Sequence, residues 1–300
     1  MNQLVVVAGA TATGKSELAI EVAKKLGAEI VNADSMQLYK GMDIGTAKLS
    51  IEERQGITHN LIDIVEPSED VSVSWYQEIA RDIINKLLLD KSVVVVGGTG
   101  LYIKAILDDL NFPETDIEVR AQIEELAKEI GPIALHKRLE KLDPAAALAI
   151  PHENVRRVVR ALEVIEITGK PFTANLPRKD STRYPSAKQF GLEMDRENLD
   201  ERINKRVELM WERGFVDEVK NLLSSNFHLG RTARQAIGYS QLISHLNGEI
   251  SELEAKELTK VATRQYARRQ ETWFRRDERI KWIKSDSNRL DAILNDILKA

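Results

Sequence analysis

The chain has 300 residues, 43% hydrophobic and 30% charged, with a net charge of −4 from 43 Lys and Arg against 47 Asp and Glu. That mixture excludes a disordered, collagenous or disulfide-stapled chain, and the length suits two domains or one core with a large insertion. The absence of cysteine excludes disulfides, thiolate catalysis and Cys-ligated metals, and the acidic balance taken alone argues against a nucleic-acid binder.

In chain order, Leu4 to Ala8 is a short apolar, largely β-branched run that reads as a buried strand. Ser16 to Leu26 follows with apolar residues at helical spacing, Leu18, Ala19, Val22 and Leu26. Glu29 to Val31 reads as a second strand, Leu61 to Val65 as a third, Trp75 to Leu89 as a helix and Val93 to Val96 as a fully apolar strand. Such alternation predicts an α/β fold with a mainly parallel sheet covered by helices on both faces. From Pro113 to Pro185 strand signals vanish and prolines punctuate helical stretches, which predicts a helical insertion over 113–185 inside a core of 1–112 and 186–300. Gln189 to Met194 reads as a strand returning to the sheet, followed by helices over Leu199 to Arg276, a short strand Ile280 to Ile283 and a helix Leu290 to Leu298. No run approaches the roughly 18 apolar residues of a membrane span, and the N-terminal stretch lacks a basic leader, so the cytoplasm is the expected location.

Between the first strand and helix lies Gly9-Ala10-Thr11-Ala12-Thr13-Gly14-Lys15-Ser16, the G-x-x-x-x-G-K-[ST] pattern in the context it requires. Glycines let backbone N–H groups turn around phosphate oxygens, and the helix N-terminus adds partial positive charge. Lys15 supplies a mobile ammonium and Ser16 a hydroxyl placed to hold Mg²⁺. The pattern predicts a P-loop NTPase-like core that binds a polyphosphate, without saying which one. The strand Val93 to Val96 runs into Gly97-Gly98-Thr99-Gly100 rather than the Asp that supports Mg²⁺ in standard P-loop NTPases. Asn-Lys-x-Asp, the guanine signature, is missing as well, so a motor or switch GTPase is not expected.

Asp34, in Asn32-Ala33-Asp34-Ser35, stands just past the second strand, at the carboxyl edge where open α/β sheets bind ligands. It reads either as a base or orienting carboxylate facing the phosphate loop or as a cap of the next helix; the location favours the first. Thr99 reads equally well as a turn hydroxyl or as a hydroxyl within reach of the same phosphates. Between Arg264 and Lys284, eight cations face three acids, a net +5, with Tyr266, Trp273, Phe274 and Trp282 interleaved. The arginines as a set suit RNA phosphates, whereas Trp273 and Trp282 are expected mainly in the core. Arg156, Arg157 and Arg160 share one side of a helix in the insertion. The histidines (His59, His136, His152, His228 and His245) lack metal-ligand spacing.

Taken together, Gly9 to Ser16, Asn32-Ala-Asp-Ser-Met-Gln-Leu-Tyr-Lys-Gly-Met-Asp-Ile-Gly-Thr-Ala-Lys48, Gly97-Gly-Thr-Gly-Leu-Tyr102, Asn154 to Glu163, Gly238-Tyr239 and Thr263 to Phe274 resemble the tRNA dimethylallyltransferase family. The resemblance spans nearly the whole chain. It implies transfer of a dimethylallyl group from dimethylallyl diphosphate to N6 of the adenosine just 3′ of the anticodon. It also implies that the phosphate loop (Gly9, Thr11, Ala12, Thr13, Gly14, Lys15 and Ser16) holds the diphosphate leaving group, with Mg²⁺ at Ser16. Asp34, Thr99 and Arg206 would be catalytic, with Arg202 as the alternative arginine. The tRNA anticodon stem-loop would meet Asp34, Ser35, Met36, Gln37, Thr99, Arg120, Arg156, Arg157, Arg160, Arg234, Gly238, Tyr239, Arg268, Arg269, Trp273 and Arg275. A monomer is expected. Two readings compete with this one: a P-loop kinase of a small molecule or nucleoside, and a nucleotide-dependent RNA-binding module without chemistry.

Overall fold

Six strands pair in parallel in the order β3-β2-β4-β1-β5-β6 in the computed structural model, which describes residues 2–175, 182–224, 229–285 and 289–298. The strands are β1 (Leu4–Gly9), β2 (Glu29–Asn32), β3 (His59–Asn60), β4 (Val93–Gly97), β5 (Lys188–Glu193) and β6 (Ile280–Lys284). Alternation along each strand assigns its side chains to two cores. Val5, Val7, Ile30, Val94, Val96, Phe190 and Leu192 lie on one face beneath α1 (Lys15–Leu26). Val6, Ala8, Val31, Val93 and Val95 lie on the other, against α2 (Val73–Leu87) and α3 (Gly100–Leu107). Both faces are therefore dry, as the unbroken valine runs of β1 and β4 require.

The chain divides into two compact units, 1–107 with 184–300, and 108–183. The smaller unit is helical. Its α4 (Ile117–Leu142) breaks at Gly131, whose φ of 78° precedes Pro132. With α5 (Pro144–Ala149) and α6 (Val155–Thr168) it encloses Leu135, Leu139, Ala146, Ile150, Val158 and Leu162. In the larger unit, α7 (Arg196–Glu212), α8 (Phe215–Ser224), α9 (Arg231–Arg234), α10 (Tyr239–Leu246) and α11 (Glu252–Phe274) separate β5 from β6, and α12 (Arg289–Leu298) follows. No described helix is long and apolar enough to cross a membrane.

One expectation changes. The third strand is not Leu61 to Val65 but the two residues His59–Asn60; Leu61 and Asp63 take positive φ, 63° and 57°, which extended backbone cannot hold. Leu61 and Val65 are buried all the same, and Val65 makes an isolated parallel bridge to Tyr39. The helix α3, which no expectation covers, is nearly all core, with Tyr102, Ile103, Ala105, Ile106 and Leu107 buried.

Candidate active site

Parallel pairing brings the carboxyl ends of three strands to one edge. Ala8 is level with Gly97 and Asn32 with Val96, so the phosphate loop, Asp34 and Thr99 emerge side by side. The Ala33 amide donates to the Val96 carbonyl at 2.7 Å, and the Thr99 amide to the Ala33 carbonyl at 3.1 Å. Gly97 is obligatory here, since a Cβ would lie 2.2 Å from the Ala33 carbonyl oxygen.

The phosphate loop is held open from within. The Thr13 hydroxyl donates to the Ala10 carbonyl at 2.8 Å, and the Lys15 ammonium to the same carbonyl at 3.3 Å. Ala12 and Gly14 take left-handed φ of 66° and 89°, and no side chain caps α1 at Gly14. Its first N–H groups and the helix dipole therefore face whatever occupies the loop. Ala10 and Ala12 pack beneath Leu199 and Ile203 of α7 and Ala267 of α11.

Charge converges on this loop. Burial lowers the Lys15 pKa to about 8, opposed by the nearby Asp34 carboxylate and assisted by Arg206. Burial also lowers the pKa of Arg206, with Asp34 opposing and Arg202 adding to the fall. The Arg206 guanidinium donates to the Thr11 hydroxyl at 3.2 Å. Asp34 accepts from the Met36 amide at 3.0 Å through Oδ1, a bond within its own turn; it caps no helix, since the next one, α2, starts at Val73, and its charge is felt by Lys15 and Arg206. Asn32 fixes the Asp34 backbone from both sides, accepting from its amide and donating to its carbonyl. The Thr99 hydroxyl accepts from the Ser35 amide at 3.1 Å and donates to the Ser35 hydroxyl at 3.3 Å, which ties the β2 and β4 turns together.

The roof comes from α11. Gln270 is buried; its carbonyl oxygen accepts from the Thr11 amide at 2.9 Å and its amide nitrogen donates to the Gly98 carbonyl at 2.8 Å. A Cβ on Gly98 would strike that nitrogen at 2.2 Å, and one on Gly100 would strike the Trp273 ring at 2.1 Å. Tyr266, one turn earlier, has its hydroxyl pKa pushed up to about 12, by burial first and then by Asp34. These contacts span more than 170 residues; Gln270 and Tyr266 lie in the Thr263 to Phe274 block that carries the family resemblance, but that block does not say which of its residues face the loop.

Beneath the Asn32 to Lys48 segment is Glu218, a residue without a sequence signal. One Glu218 oxygen accepts from the Asp43 and Ile44 amides at 3.0 and 2.7 Å. The other accepts from the Gly45 amide at 3.2 Å and the Tyr239 hydroxyl at 2.6 Å. Gln37 in turn donates to the Thr46 carbonyl at 3.0 Å. Tyr239, expected on the RNA side, is fully buried, and Gly238 is buried against Phe215. Both build the support under this segment; a packed ring has no face to offer a nucleic acid. Arg234 on α9 is exposed.

On α11, Arg268 lies 3.9 Å from Asp200, and Arg269 sits over the Tyr266 ring. Arg275 pairs with Glu193 at 2.9 Å and stacks on Trp282. Acids elsewhere in the fold thus offset part of the net +5. Trp273 is 41% exposed rather than core, whereas Trp282 is half-buried against the core as expected. In the smaller unit, Arg120 and Arg160 are drawn inward. Both bind the fully buried Glu163 carboxylate, at 2.7 and 3.0 Å, and Arg160 also donates to the Pro113 and Glu114 carbonyls. Arg156 and Arg157 are exposed. Among the described residues no three His, Cys, Asp or Glu side chains could hold a metal; His228 lies outside them.

Comparison with known proteins agrees with this geometry. The IPP transferase family model matches residues 37–277. A tRNA dimethylallyltransferase of Thermobifida fusca is 54% identical over 96% of this chain and 91% of its own, and one of Streptomyces griseus is 51% identical over 94% and 90%. A crystal structure of the Bacillus halodurans tRNA isopentenylpyrophosphate transferase is 38% identical with a TM-score of 0.72, covering 100% of this chain and 96% of that one. A eukaryotic dimethylallyltransferase described as acting on tRNA is 28% identical with a TM-score of 0.83, covering 100% and 80%. The family model's match over most of the chain, together with relatives more than half identical over nearly its whole length, places this chain in the IPP transferase family, among the tRNA dimethylallyltransferases.

Proposed function

We propose that this protein transfers a dimethylallyl group from dimethylallyl diphosphate to N6 of the adenosine 3′-adjacent to the anticodon, releasing diphosphate in the cytoplasm. The observation that carries the reading is the Asp34 carboxylate standing at the mouth of a phosphate loop whose Lys15 and Arg206 both sense its charge. A diphosphate would lie on the loop amides, Lys15 and Arg206. As the allylic C–O bond breaks, its electron pair passes to the bridging oxygen, and these groups stabilise the charge that develops there. The N6 lone pair forms the new C–N bond, and Asp34 accepts the proton that N6 releases. Thr99 and Ser35, bonded to each other at the edge of β4, orient the reacting groups. The α11 roof keeps water from intercepting an allyl cation. The adenosine must leave the anticodon-loop stack to reach Asp34, at a cost of a few kcal/mol that is smaller in a loop than in a duplex.

Mg²⁺ suits this site through Ser16. Its hydroxyl is a hard oxygen donor at the first turn of α1, and a Mg²⁺ ion takes its remaining ligands from phosphate oxygens and water without a protein cage. When bound it supplies charge neutralisation on the leaving group. RNA contact is assigned to Arg234, Arg268, Arg269, Trp273 and Arg275 in the larger unit and to Arg156 and Arg157 in the smaller, with Arg120 and Arg160 shaping that surface through Glu163.

The test is incubation with radiolabelled dimethylallyl diphosphate and an unmodified anticodon stem-loop. Label in the RNA is expected; ATP turnover on a small acceptor without prenyl transfer would show a kinase instead. A pH dependence follows from Lys15. Its ammonium is present below a pKa of about 8 and is lost above it, so affinity for diphosphate falls as pH rises through 8, by up to about tenfold per pH unit. Calorimetric titration with inorganic diphosphate from pH 6.5 to 9.5 reads this, and Lys15→Met should flatten the profile relative to wild type.

A further inference from the structure

A fourth cation stands at the phosphate loop. Arg289 is the first residue of α12, and its side chain is only 18% exposed. A methyl group built on Gly14 would lie 3.4 Å from Arg289 Nη1 and 3.8 Å from Arg202 Nη2. Two guanidinium groups from two different helices therefore converge on the glycine that opens α1. Ser285 tethers the chain just past β6 to the same loop, its hydroxyl donating to the Thr13 carbonyl at 2.6 Å.

Four cations, Lys15, Arg202, Arg206 and Arg289, thus surround a loop where Asp34 and Glu17 are the acids near them. No described carboxylate lies within ion-pair distance of Arg202 or Arg206. Arg289 has one such partner, Glu17, at 3.4 Å, longer than the usual 2.7–2.9 Å of a charge-assisted bond. The Glu17 side chain is 66% exposed, so the pair is screened and weak. Glu17 lies in the first turn of α1, where the helix dipole favours it without any arginine. Like charges gathered this closely repel one another unless an anion enters among them.

We propose that Arg289, with Arg202 beside it, is a further ligand of the bound diphosphate, and that it exchanges Glu17 for a phosphoryl oxygen over Gly14. This rests on reading the loop as a diphosphate site. The exchange forms and breaks only hydrogen bonds and ion pairs. It would make the last helix part of the anion cradle and Glu17 a competitor that holds the arginine ready.

Binding of inorganic diphosphate by calorimetry tests it without requiring turnover. Arg289→Gln is expected to weaken affinity about tenfold, the low end for loss of a charge-assisted hydrogen bond, and Arg289→Lys less. Glu17→Gln is expected to tighten binding about threefold by freeing the arginine, and to do so only while Arg289 is present. Wild-type affinity in Arg289→Gln would overturn the proposal and leave the loop reading intact. Failure of the wild-type protein to bind diphosphate would overturn both, and Lys15→Met serves as the reference for that case. If Arg289→Gln does not fold, Glu17→Gln decides: tighter binding supports the exchange and unchanged affinity refutes it.

Discussion

Asp34→Asn should lower kcat about 10²–10⁴-fold, the usual contribution of a positioned base, while RNA affinity stays within about twofold, a few tenths of a kcal/mol. An asparagine oriented to keep its carbonyl oxygen on the Met36 amide preserves the turn and removes only the charge and the proton acceptor. A second effect accompanies the first. Asp34 holds the Lys15 pKa up against burial and Arg206, so its neutralisation moves the Lys15 titration below 8 and shifts the alkaline limb of diphosphate binding to lower pH. Single-turnover kinetics with labelled dimethylallyl diphosphate, together with the calorimetric pH profile, check both. Near-wild-type turnover would remove Asp34 from the chemistry, and an unmoved pH limb would separate it from Lys15.

Glu218→Ala should destabilise the protein by about 3 kcal/mol, because it strands three backbone amides and the buried Tyr239 hydroxyl on one lost acceptor. The urea midpoint reads the loss. Glu218→Gln, which keeps one oxygen in place, should recover a good part of it. The catalytic signature is separate. The amides that Glu218 anchors precede Thr46, whose carbonyl holds Gln37, so the Gln variant should raise KM for the stem-loop more than it lowers kcat. Equal effects on the two would make Glu218 a fold residue alone.

Local chemistry explains what could be read in advance. The strands β1 and β4 announce themselves because both faces are buried and every side chain is apolar; the phosphate loop does so because its glycines and lysine have one purpose. Asp34 and Thr99 are legible by position, since parallel strands must end at the same edge. Glu218 and Arg289 are not, because their meaning depends on which turn of a distant helix faces the loop; Gln270 and Tyr266 are marked only as members of the Thr263 to Phe274 block, without a role. A short strand such as His59–Asn60 carries too few residues for a periodicity. The appearance of Tyr239 beside a family motif says that the residue matters, not that it faces outward; its burial at 0% exposure makes it a support.

The two hydrogen bonds of Gln270 also set which insertions and deletions the chain can absorb. The amide reaches Thr11 and Gly98 at once, and α11 begins at a side-chain cap, Ser251 on the Glu254 amide. One residue added between that cap and Gln270 turns the amide by about 100° and moves it about 1.5 Å along the axis, out of reach of both partners. Only a change that restores the helical phase could return it. Length variation should therefore be tolerated in the connections that lead into and out of α11 and rejected within the helix from Ser251 to Gln270.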